Sequence, residues 1–213
     1  MPGFPEELQR LIGELGRLPG VGQKSAERLA FFLLKGEAAD AYKLADAIRA
    51  ARDALRPCRD CFNVSAGERC AVCADPARDR GAVMVVEHPR DLMAFEAMGR
   101  WKGVYHVLLG RLAPHEGQGP EHTSAAALEA RVRKGGVREV VLATNPDAEG
   151  DAAALYLERR LAGAPGVTVT RLARGLGTGG SIEYAGTEVL AEALALRRPS
   201  SGKGPAHGAP EGA

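Results

Sequence analysis

The first part of the chain repeats apolar residues at intervals of three and four, the pattern of amphipathic helices. One such run covers residues 6–18, with an apolar stripe of Leu8, Leu11, Ile12, Leu15 and Leu18. A second runs from residue 23 to 34 and places on one face Ala26, Leu29, Ala30, Leu33 and Leu34. A third helix is predicted over residues 38–55, with an inward face of Leu44, Ala45, Ile48, Ala51, Ala54 and Leu55.

From residue 81 onward, short β-rich runs alternate with helical stretches. Strands are predicted at residues 82–86, 104–109, 139–143 and 167–170, and helices at residues 89–98, 124–134 and 151–161. Uninterrupted apolar strands separated by helices indicate a parallel sheet covered on both faces. A last short strand at residues 182–184 and a closing helix at residues 186–197 complete the pattern. The predicted fold class is α/β, in a multi-domain chain.

The pattern divides the chain into five parts. Residues 1–56 form a helical region, residues 57–76 a cysteine motif, and residues 80–173 the α/β sheet domain. Residues 174–198 follow as a Gly-rich segment and helix. The tail, residues 199–213, consists mostly of Gly, Pro, Ser and Ala. Such a composition cannot bury a core, so we expect the tail to be disordered.

Charge and hydropathy exclude two classes of protein. The 213 residues contain 28 Lys and Arg against 27 Asp and Glu, a net charge of +1. A protein coated with positive charge is therefore excluded, and any nucleic-acid contact must be local or shared between subunits. No uncharged apolar run approaches the ~18 residues of a membrane span. The N-terminal residues have neither the basic head nor the apolar stretch of a secretory leader, so we expect a cytoplasmic protein with no membrane partner.

All four cysteines lie within 16 residues, as Cys58, Cys61, Cys70 and Cys73. Two Cys-x2-Cys pairs joined by a short connector can give four thiolates to one tetrahedral zinc ion. Two disulfides are the alternative, which a reducing cytosol disfavours. The segment has few large apolar side chains, and zinc binding, worth about 10–16 kcal/mol, can supply the missing folding energy. We predict a closed structural site with one zinc ion per chain.

The turn between the first two helices has the makeup of a helix-hairpin-helix motif. Pro19 stops the first helix, and Gly20 and Gly22 leave the amides at the start of the second helix accessible to a phosphate. Lys24 and Arg28 lie on the helix face behind the turn and add two positive charges. Such a motif holds a phosphate backbone without reading the bases. The alternative is an ordinary helical hairpin whose glycines serve only the turn.

Carboxylates follow two of the predicted strands. Glu87 directly follows the first, and Asp147 and Glu149 follow the third. Ligands of parallel sheets bind at the carboxyl ends of strands. Mg²⁺ takes one or two carboxylates and keeps several waters, so magnesium is a possible ligand of this acidic patch. The alternative is that Asp147 and Glu149 only complement the positive end of the following helix.

The order and size of these parts resemble the bacterial RecR family of recombination mediators, over residues 1 to about 198. The hairpin segment, residues 18–30, reads LPGVGQKSAERLA as in that family. Residues 86–87 and 145–150 resemble its Toprim domain, a parallel-sheet fold shared with topoisomerases and primases. The stretch of residues 179–184 is similar to the family's C-terminal segment.

The resemblance implies a non-catalytic protein of DNA repair. It implies the partners RecO and RecF, with which the family helps to load a recombinase on gapped or single-stranded DNA. It also implies a ring-like homotetramer that can encircle single- or double-stranded DNA without sequence preference. Lys24 and Arg28 match the positions that hold DNA in the family. Glu87, Asp147 and Glu149 belong to the acidic Toprim residues that are associated there with partner contacts.

Two other functions remain open at this point. One is a Mg²⁺-dependent Toprim nuclease or strand transferase that uses the acidic patch to hold metal at the phosphodiester. Asn145 stands where topoisomerases place an aspartate, and one carboxylate fewer weakens such a metal site. We therefore predict no catalytic residue. The other is a scaffold whose hairpin only packs against protein.

Overall fold

The computed structural model describes residues 3–111, 119–177, 179 and 181–197. Within these residues the chain forms two compact units. The first takes the residues up to Pro57 together with Val64–Glu68. The second takes Cys58–Asn63 and the residues from Arg69 onward.

The first unit is helical, as the apolar spacing predicts. Its helices are α1 (Glu6–Gly16), α2 (Gln23–Lys35) and α3 (Ala38–Ala54). Strands β1 (Arg56–Pro57) and β2 (Val64–Ser65) form a short antiparallel pair. The core is small: the buried residues Ile12, Ala26 and Ala30 pack with Phe4, Leu8, Leu11, Leu15 and Val21. Helix α1 therefore packs against α2 through the apolar face that the sequence predicts.

The predicted inward face of the third helix is wrong. No residue of α3 is buried, and Leu44, Ile48 and Leu55 are 48%, 62% and 46% exposed. On α2, Leu29 and Leu34 are exposed as well, while Leu18 lies beyond the end of α1 and is half-exposed. Periodicity identifies an apolar face but does not say what covers it. For the large apolar side chains of α3 the described chain supplies little cover.

The second unit contains, among the described residues, a four-stranded parallel sheet. Its strands are β3 (Asp79–Val86), β4 (Gly103–Val107), β5 (Glu139–Leu142) and β6 (Thr168–Arg171), in the order β4-β3-β5-β6. The register pairs Met84 with Tyr105 on one side and with Val141 on the other. Because all strands run the same way, the carboxyl ends of β3, β4 and β5 meet at one edge.

Both faces of the sheet are covered, as predicted. Helices α6 (Ala125–Arg133) and α7 (Ala148–Leu161) pack on the face that carries Val83 and Val85. Helix α5 (Pro89–Met98) packs on the face that carries Met84 and Val86. Phe62 packs in the same cluster as Met84 and Val86, so the cysteine motif is anchored to the sheet. A one-turn helix, α4 (Ala71–Ala74), begins directly after Cys70 and includes Cys73.

The C-terminal part differs from the prediction in one element. Ile182–Tyr184 is a single 3-10 turn, closed by the Tyr184 amide donating to the Ser181 carbonyl, and is no strand. An apolar run of three residues is too short for its spacing to separate a strand from a turn. The closing helix, α8, covers Thr187–Ala195 and buries no residue. The tail that we predict to be disordered lies outside the described residues.

Candidate functional site

The helical hairpin turns sharply at Gly20. Its φ of +79° lies in the left-handed region that glycine adopts without strain. The Val21 amide donates to the Leu18 carbonyl at 3.0 Å, which closes the turn. Gly22 then precedes α2, and its carbonyl accepts the Ala26 amide at 2.9 Å. The turn thus positions the start of α2 directly behind two glycines.

Gly22, unlike Gly20, is not required by the turn. Its φ is −76°, which any residue adopts, and a Cβ there would meet nothing within 4 Å. No side chain caps the start of α2. The glycine therefore keeps this helix end bare, although the fold would accept a side chain. A close-approaching ligand is a reason for glycine that turn geometry does not supply.

The two cations of the hairpin are accessible. Lys24 and Arg28 are both exposed, one helical turn apart on α2. In the part of the chain that the structure describes, neither makes an ion pair with a carboxylate. Their charge therefore faces solvent at the bare helix end. Their contact with DNA, like that of the two glycines, stays a prediction.

The four cysteines converge as a metal site requires. Their sulfur atoms all lie within 4.8 Å of one another, and all four residues are buried as free thiols. The Sγ atoms of Cys61 and Cys70 are 3.5 Å apart. A tetrahedral zinc ion with Zn–S bonds of ~2.3 Å places its sulfur ligands about 3.8 Å apart. The cluster therefore fits zinc with little adjustment.

Hydrogen bonds and burial shift the pKa values of the thiols in opposite directions. A hydrogen bond to Cys73, together with burial, raises the pKa of Cys61, and burial raises that of Cys70. The hydrogen bond from Cys61 lowers the pKa of Cys73. Zinc binds thiolates, and so it would displace the protons from this buried cluster. The ion would supply folding energy and no reaction step, because four protein ligands leave no open position.

Two arginines beside the cluster were not predicted. Arg131 on α6 donates to the Tyr105 carbonyl at 2.8 Å, and burial lowers its pKa. Arg80 on β3 donates to the Cys73 carbonyl at 2.9 Å. Their positive charges face a zinc tetrathiolate that carries about two negative charges. No sequence signal pointed to them, since neither belongs to the cysteine motif.

The predicted acidic patch also assembles. Glu87 is fully buried at the end of β3 and accepts the backbone amide of Asn145 at 2.8 Å and its side-chain amide at 2.6 Å. Asp147 caps α7 by accepting the Gly150 amide at 2.8 Å. A Cβ on Gly150 would lie 2.0 Å from the Asn145 carbonyl oxygen, so only glycine fits this loop. Asp147 therefore caps the start of α7, as the alternative interpretation predicted.

Arg111 lies among the three carboxylates. Its Nε is 3.2 Å from Glu87, its Nη1 2.7 Å from Glu149 and its Nη2 3.4 Å from Asp147. The hydrogen bond to Glu149 leads the interactions that raise the pKa of Arg111. The patch is thus partly neutralised by a cation of the chain itself. Sequence reasoning missed Arg111, although its place shortly after β4 put it near the same sheet edge.

A helix-hairpin-helix unit, a four-cysteine zinc finger and a Toprim-type sheet in one chain define a zinc-containing class of DNA-repair proteins. The Toprim domain model matches residues 81–173. The model described as RecR, helix-hairpin-helix matches residues 8–52, and that of the RecR four-cysteine zinc finger domain matches residues 55–75.

Whole-chain relatives agree with these matches. The recombination protein RecR of Rhodopirellula baltica is 46% identical over 198 residues, which cover 93% of this chain and 99% of the relative. The same protein of Chloroflexus aurantiacus is 50% identical over 189 residues, 89% of this chain and 92% of the relative. The RecR of Moorella thermoacetica is 48% identical over 194 residues, 91% and 97% of the two chains. The chain belongs to the RecR family of recombination proteins.

Family membership settles two further points. The four cysteines form the family's four-cysteine zinc finger, so zinc is the structural cofactor of this segment. The predicted fold class, with its helical hairpin, zinc motif and Toprim sheet, is confirmed. Among the described helices, none is both long enough and apolar enough to cross a bilayer.

Proposed function

We propose that this protein is a non-catalytic, DNA-binding mediator of recombination. In this proposal residues 1–56 bind DNA and residues 57–76 hold zinc. Residues 80–173, with the segment 174–198, meet protein partners. It acts in the cytoplasm with RecO and RecF, and it helps to load a recombinase on gapped or single-stranded DNA.

The observation that carries the proposal is the bare start of α2. Gly22 is glycine without a conformational or steric need in the chain, and Lys24 and Arg28 carry unpaired charge beside it within the described structure. Helix N-termini bind phosphate oxygens through their amides, and cations strengthen the contact. Contacts of this kind recognise the backbone and carry no base specificity. This supports binding to single- and double-stranded DNA of any sequence.

We propose a homotetrameric ring, which would offset the weakness of one hairpin. Two cations contact few phosphates, so a single hairpin binds weakly and loses affinity with salt. Joining several hairpins makes the later contacts intramolecular, which raises avidity by about 10²–10⁴. Exposed apolar residues support subunit contacts, because they would be covered there: Leu44 and Ile48 on α3, and Leu194 on α8.

For the acidic patch we propose a partner contact. Glu87 already accepts a hydrogen bond from Asn145 and pairs with Arg111, whereas Asp147 and Glu149 are partly exposed. A basic partner surface can compete with Arg111 for these two carboxylates. The convergence of three carboxylates also favours the Mg²⁺-dependent nuclease or strand transferase as the second candidate. Nicking of supercoiled plasmid in Mg²⁺ that is lost in Glu87→Gln would favour that enzyme over the mediator.

The hairpin is tested by removing its charge. We expect Lys24→Ala/Arg28→Ala to weaken DNA binding equally for all sequences and to lower the salt slope by about one per lost phosphate contact. Fluorescence anisotropy with labelled DNA at several salt concentrations measures both quantities. Arg10→Ala/Lys35→Ala is the matched control, since it removes the same charge from exposed positions of the same unit. Equal binding by the hairpin variant and its control would exclude the hairpin as the DNA contact.

A further inference from the structure

Arg131, on α6, connects the first cysteine pair to the sheet of the second unit. Its Nη1 donates to the Tyr105 carbonyl of β4 at 2.8 Å. The same atom lies 3.4 Å from the carbonyl oxygen of Asp60, the residue directly before Cys61. The Val107 amide, also on β4, donates to the Cys61 carbonyl at 2.8 Å. The guanidinium is therefore held between β4 and the loop that carries a zinc ligand.

The charge of Arg131 is not balanced by a carboxylate. Within the described chain, its side chain bonds to backbone carbonyls and forms no ion pair. Carbonyls orient a guanidinium but carry no net charge. The carboxylate of Asp60 is paired instead with Arg69, at 2.7 Å. Arg131 is half-buried, and a charge taken out of water is costly unless an opposite charge lies close, so a counter-charge of another kind is expected.

The zinc cluster supplies that counter-charge. Four thiolates around Zn²⁺ carry about two negative charges. Burial lowers the pKa of Arg131, and Cys73 and Cys61 oppose that fall most strongly. The cysteines are thus the main electrostatic partners of this guanidinium. Arg80, which donates to the Cys73 carbonyl at 2.9 Å, is exposed, so solvent screens its charge more than that of Arg131.

We propose that Arg131, although it lies outside the cysteine motif, is a positioning residue whose charge makes the protein retain zinc. The attraction acts both ways. The guanidinium stabilises the thiolates that bind zinc, and the zinc-bound thiolates neutralise a cation that the fold has partly buried. Removing such a partner of the metal ligands costs about 10–100-fold in metal affinity. The inference concerns the zinc finger and is independent of the proposed binding to DNA.

Two substitutions separate the charge of Arg131 from its hydrogen bonds. Arg131→Gln keeps a donor for the carbonyls and removes the charge, whereas Arg131→Lys keeps the charge. Arg133→Gln is the matched control, since it makes the same change at an exposed position of the same helix. Competition with a chromophoric chelator measures the zinc affinity of each full-length protein. We expect a loss of about 10–100-fold in Arg131→Gln, a loss below about threefold in Arg131→Lys, and the wild-type affinity in the control.

The cobalt-loaded protein distinguishes a charge effect from a loss of packing. The sulfur-to-cobalt charge-transfer band moves an electron from a thiolate to the metal, and a positive charge beside the thiolate raises the energy that this requires. We expect the band of Arg131→Gln to lie at lower energy than that of wild type, and the band of Arg131→Lys to stay close to it. A fall in zinc affinity without movement of the band would overturn the role of charge.

The zinc affinities decide the remaining outcomes. Wild-type affinity in Arg131→Gln would overturn the proposal. Equal losses in Arg131→Gln and Arg131→Lys would assign the effect to the hydrogen bonds of the guanidinium, and would overturn it as well. If Arg131→Gln does not fold, Arg131→Lys decides by itself: affinity within about threefold of wild type supports the role of charge, and a loss of about tenfold or more contradicts it.

Discussion

At the scale of single residues, two left-handed backbone conformations have different causes. Phe62 has a φ of 64° and Leu109 a φ of 63°. This region costs a non-glycine residue about 1–2 kcal/mol. The Phe62 ring recovers that cost by packing edge-on against His106, with the centroids 5.3 Å apart, and in the cluster below the sheet. Leu109 is 45% exposed and belongs to neither hydrophobic cluster of the sheet.

Leu109→Gly should therefore stabilise the protein. Relief of the strain outweighs the extra backbone entropy of glycine, and we expect the free energy of unfolding to rise by about 0.5–1 kcal/mol. Urea denaturation of the zinc-loaded protein measures it. Phe62→Gly is the matched comparison and should destabilise, because it removes a packed ring. A loss of stability in Leu109→Gly would show that its side chain contributes more than the strain costs.

His106 should make stability depend on pH. Its Nε2 lies 2.9 Å from the Ser124 Oγ and 3.1 Å from the Ser124 carbonyl oxygen. Because Ser124 Oγ donates to the Val107 carbonyl, Nε2 carries the proton of the neutral ring. A second proton would go to Nδ1, which is buried and has no hydrogen-bond partner among the described residues. Burial lowers the pKa of His106 to about 4.

The sign follows from the unfolded state, where a histidine titrates near 6.5. On acidification the unfolded chain takes up the proton first. The contribution of His106 to the free energy of unfolding is therefore fully present above pH 6.5 and is lost as the pH falls from 6.5 to 4. The full loss is about 3 kcal/mol. The difference in unfolding free energy between wild type and His106→Gln, measured by urea at each pH, isolates this contribution from zinc release. A difference that stays constant across the range would mean that His106 protonates without cost.

At the scale of elements, the sequence predicted most of the second unit because local patterns match its contacts. Helix α5 begins and ends where predicted, at Pro89 and Met98. Helix α7 begins three residues before the predicted Asp151, because Asp147 caps it. Patterns reveal periodicity and caps, which depend on neighbouring residues. They do not reveal a partner brought in by the fold, which is why Arg111 and Arg131 were missed.

The zinc finger illustrates what a spacing motif can predict. Its ligands can be predicted from the sequence because each Cys-x2-Cys pair is local. The packing of Phe62 on the sheet and the positive charge of Arg80 beside the cluster depend on the fold of the whole unit. The four buried thiols fit one ion, and their cluster has little apolar support of its own. The element should therefore depend on the metal.

Metal content should be one zinc ion per chain, and Cys58→Ser should lose it. We expect the variant to lower the melting temperature, since the binding free energy of a structural zinc ion is folding free energy. Mass spectrometry under native conditions counts the ion, and calorimetry follows unfolding. Ser65→Ala lies outside the ligand set and should retain the metal. Full zinc content in Cys58→Ser would show that three thiolates suffice.

At the scale of the whole molecule, near-neutral charge and exposed apolar faces support the proposal that the protein works as an assembly. A net charge of +1 cannot hold DNA by general attraction, so the contacting charge must be local, as at the hairpin, or shared between subunits. The apolar residues of α3 that the sequence placed inside a core are exposed in the single chain. Their exposure supports subunit contacts, since apolar faces of this kind mark interaction sites.

The assembly is expected to be a homotetramer that uses α3 in one contact. Leu44→Glu/Ile48→Glu places two charges in that face and should shift the protein to smaller species, because an unpaired charge is costly in an apolar interface. Light scattering coupled to size exclusion measures the mass with and without DNA. Tyr42→Gln, an exposed aromatic residue of the same helix, maps the extent of the contact. A tetramer that survives the double glutamate variant would place the interface elsewhere.

The most direct measurement of the central claim is a structure of the protein bound to DNA. We expect backbone phosphates at the start of α2, within hydrogen-bond distance of its first amides, with Lys24 and Arg28 beside them and no base contacted by the turn. We expect this arrangement in each subunit that touches the DNA. A complex in which the Gly20–Gly22 turn lies far from the DNA while another region holds the backbone would contradict it.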